Sequence, residues 1–115
     1  IGAAGALLMI EVDGVGTTLA ESVAVLSAAA RGDGLLALDE ALAPGDIESL
    51  WAARRALSPA LRTLAPKKIN EDVVVPVSRL PELVAACEAF SHDAGFPIVC
   101  FGHAGNGNLH VNLLI

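Results

Sequence analysis

The chain has 115 residues, a mass of 11.7 kDa and a formal net charge of −6 from 7 basic and 13 acidic side chains. Hydrophobic residues make up 54% and charged residues 17%, with a mean hydropathy of +0.61, which excludes a disordered or low-complexity chain and leaves room for one domain with one core. The acidity, with only three Phe, one Trp and no Tyr, argues against a nucleic-acid platform.

Ala6 to Asp13 (ALLMIEVD) is a short apolar run closed by Gly14 and Gly16, the pattern of a strand and a turn. Thr18 and Glu21 then have the spacing of a capping box, and Leu19, Val23, Leu26 and Ala30 recur at helical intervals up to Gly32. Leu35 to Ala41 reads as a second strand. Pro44-Gly45 turns the chain, and Asp46 stands where a cap would open a helix with Ile47, Leu50 and Trp51 on one face. Pro59 and Pro66 predict an irregular or broken-helical connection over 59–70.

A third strand is expected at Val73–Val75, ended by Pro76. Another helix follows Ser78, with Pro81 in its first turn, Leu83, Cys87 and Phe90 inward, and Gly95 as its stop. Ile98–Phe101 and Leu109–Ile115 are two strands around a glycine-rich turn, hence a hairpin. The order β-α-β-α-β-α-β-β predicts an α+β fold, a ferredoxin-like sandwich with a mostly antiparallel sheet and helices on one face. A small doubly wound parallel sheet is the alternative.

No apolar run reaches the ~18–20 residues of a membrane span. Cys87 and Cys100 fall on elements expected to be buried, where cysteine acts as a small hydrophobe, so the expected compartment is reducing and cytoplasmic. The chain opens on Ile1 and closes on Ile115 within an apolar run, and is read as a piece of a longer protein. Its high apolar content fits that expectation, with part of the surface covered by further chain or by a partner.

Charge is unevenly spread. Residues 54–68 carry Arg54, Arg55, Arg62, Lys67 and Lys68 with no acid, whereas residues 1–50 carry eight acids against Arg31 alone. The basic segment suits a small anion such as a carboxylate, or is simply a solvated helix end complementing the helix dipole. Arg54 continues the stripe of Ile47, Leu50 and Trp51, and Ser58 follows it by four residues on the same face. A guanidinium on that side needs an anion: a substrate carboxylate held bidentately, or Glu48 or another acid.

The second cluster is Gly102-His103-Ala104-Gly105-Asn106-Gly107-Asn108-Leu109-His110. In a hairpin centred near Asn106-Gly107 the two histidines face each other across the ladder, close enough to share a divalent ion. Two imidazoles are an incomplete ligand set, and turn-flanking histidines without a ligand are the other reading. His92 sits near a helix end as a dipole partner. Gly14-Val15-Gly16 lacks the third glycine and the acid of a dinucleotide loop.

Three stretches taken together resemble the C-terminal domain of FAD-linked oxidases, the group of the glycolate oxidase FAD subunit, D-lactate dehydrogenases and D-2-hydroxyglutarate dehydrogenase. They are Leu50-Trp51-Ala52-Ala53-Arg54-Arg55, the run from Lys67 to Pro81 (KKINEDVVVPVSRLP), and the run from Phe101 to Asn112 (FGHAGNGNLHVN). The opening LLMIEVDG also looks like the first strand of that domain, so the resemblance covers nearly the whole chain.

The resemblance implies a substrate-capping domain of a flavoenzyme that oxidises a D-2-hydroxy acid to the 2-oxo acid. FAD is then held mainly by an N-terminal domain outside this chain, and the chain alone is expected to be inactive and colourless. Carried over residue by residue, Arg54 holds the substrate carboxylate with Ser58 in support, and Asn112 lines the pocket. His103 and His110 ligate a divalent metal such as Zn, Mn or Fe. In the hydroxyglutarate branch a substrate lysine lies two residues before the aspartate matched by Asp72; here Asn70 stands there, and Lys68, just upstream, takes the role. The family loop reads H-x-G-D-G-N-x-H, and Asn106 replaces its acid, removing one charge near the metal. Other classes consistent with the residues are an anion-sensing α+β module that forms a homodimer through its apolar face, and a metal hydrolase built on the histidine pair.

Overall fold

The computed structural model describes residues 3–115, in two compact units divided between Pro44 and Gly45. In the first unit, α1 (Gly16–Ala30) is the regular element. It starts earlier than the expected capping box: Val15 is the N-cap and no side chain caps the helix, so Thr18 and Glu21 lie inside it. Residues 6–13 and 35–41, expected as strands, run without strand pairing. Their apolar side chains match strand preference, but a strand exists only where a ladder partner meets it, and neither segment finds one here. Ser27 donates a hydrogen bond of 2.5 Å to the carboxylate of Glu40, tying the helix to the second of these segments.

The second unit contains α2 (Pro44–Arg55, opening on the last residue of the first unit), α3 (Leu57–Leu61), β1 (Lys68–Val74), α4 (Leu80–Ala94), β2 (Ile98–His103) and β3 (Asn108–Leu114). The three strands form one antiparallel sheet in the order β1-β3-β2, so the fold is α+β as expected. Asp46 lies within the first turn of α2, inside the helix rather than capping it. Residues 59–70 are less irregular than the prolines suggest. The helical course resumes after Ala56, whose N–H donates to Ala52, and Lys68–Asn70 already belong to β1.

β3 is the central strand. It pairs along its whole length with β1, from Lys68↔Leu114 to Val74↔Asn108, and with β2 from Ile98↔Leu113 to His103↔Asn108. Its alternation therefore divides the sheet into two faces. Leu109, Val111 and Leu113 share one face with Val73 and Cys100, and against them packs α4 through Leu80, Leu83 and Cys87. α4 ends at Gly95 in the left-handed conformation (φ 74°), the stop expected from sequence. Phe90 does not point inward: it is 63% exposed, and Leu80 takes the expected place in the stripe. The opposite face carries the polar side chains of the sheet beside Val74, Val99, Phe101 and Leu114, and α2 and α3 approach it through Arg54 and Ser58, so the helices do not all lie on one side.

Cys87 and Cys100 are free thiols within the packed layer. Burial, then the neighbouring Cys87 thiol and the charge of Glu88, push Cys100 from 9.0 up to about 12. The folded thiol thus keeps its proton where the unfolded one loses it. Any contribution of this group to stability is complete below pH 9 and disappears as the pH rises from 9 towards 12. At pH 8 native Cys100 is expected to react with iodoacetamide at least about tenfold more slowly than in the urea-unfolded protein, as read by mass spectrometry of the alkylated peptide.

Candidate functional site

The polar face owes its composition to strand alternation. His110, Asn112 and Asn108 from β3 project there with Asp72, Asn70 and Lys68 from β1 and Phe101 and His103 from β2. Asp72, His110 and Phe101 form one cross-strand row: Asp72 is opposite His110 on one side and Phe101 on the other. The Nδ1 of His110 lies 2.5 Å from the Oδ1 of Asp72, and its ring centroid 5.9 Å from that of Phe101.

His103 and His110 do meet, though not as direct partners. A turn of 3-10 helix over Ala104–Asn106 and the left-handed Gly107 (φ 67°) set the register so that His103 opposes Asn108. The imidazoles are consequently diagonal neighbours on the same face, 5.7 Å apart and edge to face. Asn106 is exposed in that turn, where it takes no part in the contact. Gly107 is buried with its N–H donated to Ala104, and its carbonyl accepts the N–H of Val75, fastening the turn to the end of β1.

Arg54 reaches the same face. Its guanidinium carbon lies 4.8 Å from the centroid of Phe101, a cation–π contact that holds the planar group beside the imidazole pair. Among the described residues no carboxylate pairs with Arg54; Glu48 is taken by Arg55 instead. Ser58, one helical turn further, accepts a 2.6 Å hydrogen bond from the ammonium of Lys68. Lys68 and Asn70 lie on the same face because they are two apart on β1.

Asn112 forms the floor. It is fully buried, with its amide nitrogen donating to the carbonyls of Val99 (3.0 Å) and His110 (3.2 Å). Its Oδ1 has no hydrogen-bond partner, and it is the only such buried side-chain atom among the described residues. The face thus offers a guanidinium with no carboxylate partner among the described residues, a serine–lysine pair, two adjacent imidazoles and a carboxylate behind one of them. Two imidazoles fit a divalent cation as half of its coordination sphere. Among the described residues no set of three His, Cys, Asp or Glu side chains could hold one.

Sequence reasoning missed two members of this face. Phe101 is only the end of an expected apolar strand, and Asp72 only a landmark in the family stretch. The signal for both was parity: each is an even number of residues from a polar-face neighbour on its own strand, His103 and Asn70 respectively. His92 is exposed at the end of α4, 3.3 Å from Asp93 and away from this row. No helix among the described residues is long and apolar enough to cross a membrane.

Residues 2–115 match the family described as FAD linked oxidases, C-terminal domain. The chain is 39% identical over 84 residues to a D-2-hydroxyglutarate dehydrogenase of Xanthomonas citri pv. viticola, an alignment covering 71% of this chain and 16% of that protein. It is 34% identical over 107 residues to glycolate oxidase subunit GlcD of Bacillus subtilis, covering 93% and 23%. To a probable mitochondrial D-lactate dehydrogenase of Danio rerio it is 31% identical over 112 residues, covering 94% and 22%. The matched region therefore spans about a fifth of the length of these relatives. The match extends over nearly the entire sequence, and the chain belongs to the FAD linked oxidases, C-terminal domain family.

Proposed function

We propose that this chain is the substrate-capping domain of an FAD-dependent oxidoreductase that converts a D-2-hydroxy acid of the lactate, glycolate or 2-hydroxyglutarate class to its 2-oxo acid. The observation that carries this reading is the position of Arg54: a guanidinium with no carboxylate partner among the described residues, over the Phe101 ring, on the sheet face that bears His103 and His110. In this reading Arg54 receives the substrate carboxylate through its two parallel N–H groups. Ser58 supports the same carboxylate, and in a substrate of the 2-hydroxyglutarate class the ammonium of Lys68, joined to Ser58, is matched to the second carboxylate at the far end.

The 2-hydroxyl then lies towards the imidazoles. His103 and His110 would hold a divalent cation such as Zn, Mn or Fe, which when bound would polarise the hydroxyl, and the flavin, held mainly by an N-terminal domain of the whole protein, would supply the hydride acceptor. This cation needs at least one further donor beyond the two imidazoles. Asn112 lines the floor, and its unpartnered Oδ1 is the kind of buried acceptor that a donor arriving with the substrate satisfies. Such an enzyme works in the cytoplasm or at a membrane periphery.

Anaerobic mixing of the whole enzyme with D- and L-lactate, glycolate and D-2-hydroxyglutarate tests the reading. Flavin bleaching near 450 nm is expected with a D-acid or glycolate. Changing both His103 and His110 to Gln should abolish it while the flavin stays bound. Bleaching by none of these acids, or full bleaching in the double variant, contradicts the proposal.

A further inference from the structure

We infer that Asp72 is a positioning residue for His110, fixing which ring nitrogen the imidazole presents to the site. The inference takes His110 to belong to the site proposed above, but its geometry stands by itself. Asp72 and His110 are register partners on adjacent strands, and their side chains emerge on the same face. The carboxylate Oδ1 lies 2.5 Å from Nδ1, an ion-pair contact slightly closer than the about 2.7–2.9 Å usual between a charged N–H and a carboxylate.

An ionised carboxylate can only accept, so the proton of this contact sits on Nδ1. In the neutral ring Nε2 then carries the lone pair, and it is the only nitrogen left to bind a cation or accept a proton. Free imidazole side chains prefer the opposite form, with the proton on Nε2. The strand register therefore selects the less common tautomer, the one useful to a ligand or base at Nε2.

The other two histidines show that this is particular to His110. Among the described residues His103 has no carboxylate partner, only the ring contact with His110. His92 meets Asp93 at 3.3 Å, between adjacent residues of which both are largely exposed. The His110 side chain is by contrast only 27% exposed, between Phe101 on one side and Asp72 on the other. Asp72 itself is 62% exposed, so removing its charge does not open the core.

The test uses the whole protein with 15N-labelled histidine, at a pH where the rings are neutral. Long-range proton–nitrogen correlations read the tautomer of each ring, and single histidine variants assign the signals. The Nδ1–H form of His110 is expected to exceed the Nε2–H form by about tenfold or more, while His103 and His92 keep the ordinary preference. Asp72→Asn should bring His110 to the ratio of His103, and Glu71→Gln, on the same strand but the opposite face, should leave it unchanged. An Nε2–H form dominant in the native protein, or a ratio indifferent to Asp72→Asn, overturns the inference.

A calorimetric titration with Zn²⁺ separates this question from the reading of the site. If the native protein binds the ion through His110, Asp72→Asn should weaken it by about 10–100-fold. No binding to the native protein would remove the metal from the proposed function and leave the tautomer result to decide the role of Asp72.

Discussion

On the proposed function, replacing Arg54 with Met is expected to lower kcat/KM for the preferred D-2-hydroxy acid by about 10²–10³-fold in the whole enzyme. A charge pair made with substrate in a partly buried site is worth about 3–4 kcal/mol, because truncation leaves the carboxylate desolvated and unpaired. The size follows from the environment: among the described residues no other carboxylate competes for Arg54, and its partner in the protein is the face of Phe101. Arg54→Lys keeps the charge but loses the planar fork and its stacking, so about tenfold to a hundredfold is expected. Phe101→Leu leaves the guanidinium present but unguided, for a loss of about tenfold or less, mainly in KM. Steady-state kinetics with flavin content measured in each variant checks the order. Arg54→Met at native efficiency would place the carboxylate elsewhere.

Gly107→Ala is expected to have the largest effect on stability, about 3–5 kcal/mol. Two independent penalties coincide there. The residue holds φ at +67°, where a side chain is strained, and an added Cβ would drive into the carbonyl oxygen of Val75. Relief requires pulling the turn from the end of β1, which breaks the hydrogen bond from Val75 to Gly107 and loosens the register that makes His103 and His110 neighbours. Gly105→Ala, in the same turn but with open space around it, should change stability by less than about 1 kcal/mol. Urea midpoints of the two variants give the comparison. Equal midpoints would mean that the turn is not held as described.

The hairpin and α4 were legible in the sequence because local chemistry dictates them. Gly95 can adopt the left-handed stop, and Gly107 can take positive φ between two apolar runs. The first half of β1 was hidden, since Lys68, Asn70 and Asp72 face the polar side and leave only Ile69, Glu71 and Val73 towards α4. A strand with polar side chains along one face lacks the apolar signature over that stretch. Residues 6–13 and 35–41 show the opposite error. Their apolar content reads as strand, yet pairing is a property of partners and not of the segment.

The site was partly legible as well. Arg54 and Ser58 are where helical spacing puts them, on the side facing the sheet, although the helix is interrupted at Ala56. The two histidines share a face, but a diagonal one, because the exact register of a hairpin depends on its turn and cannot be counted from the spacing of two residues. Asn112, expected to line the pocket, is fully buried at its floor, whereas His110, two residues away on the same face, stays partly exposed. Neither the Phe101 platform nor the Asp72 contact had a sequence signal apart from strand parity, since each depends on a neighbour from another strand or helix.

On the proposed function, Arg54 and the imidazole pair act on one substrate molecule. A crystal structure of the whole enzyme with the 2-oxo acid product bound tests it most directly. The product carboxylate is expected on the Arg54 guanidinium, with its 2-oxo oxygen on the side of His103 and His110. A product bound with its carboxylate away from Arg54, or with the two histidines on the far side of the ligand from the reacting carbon, would contradict it.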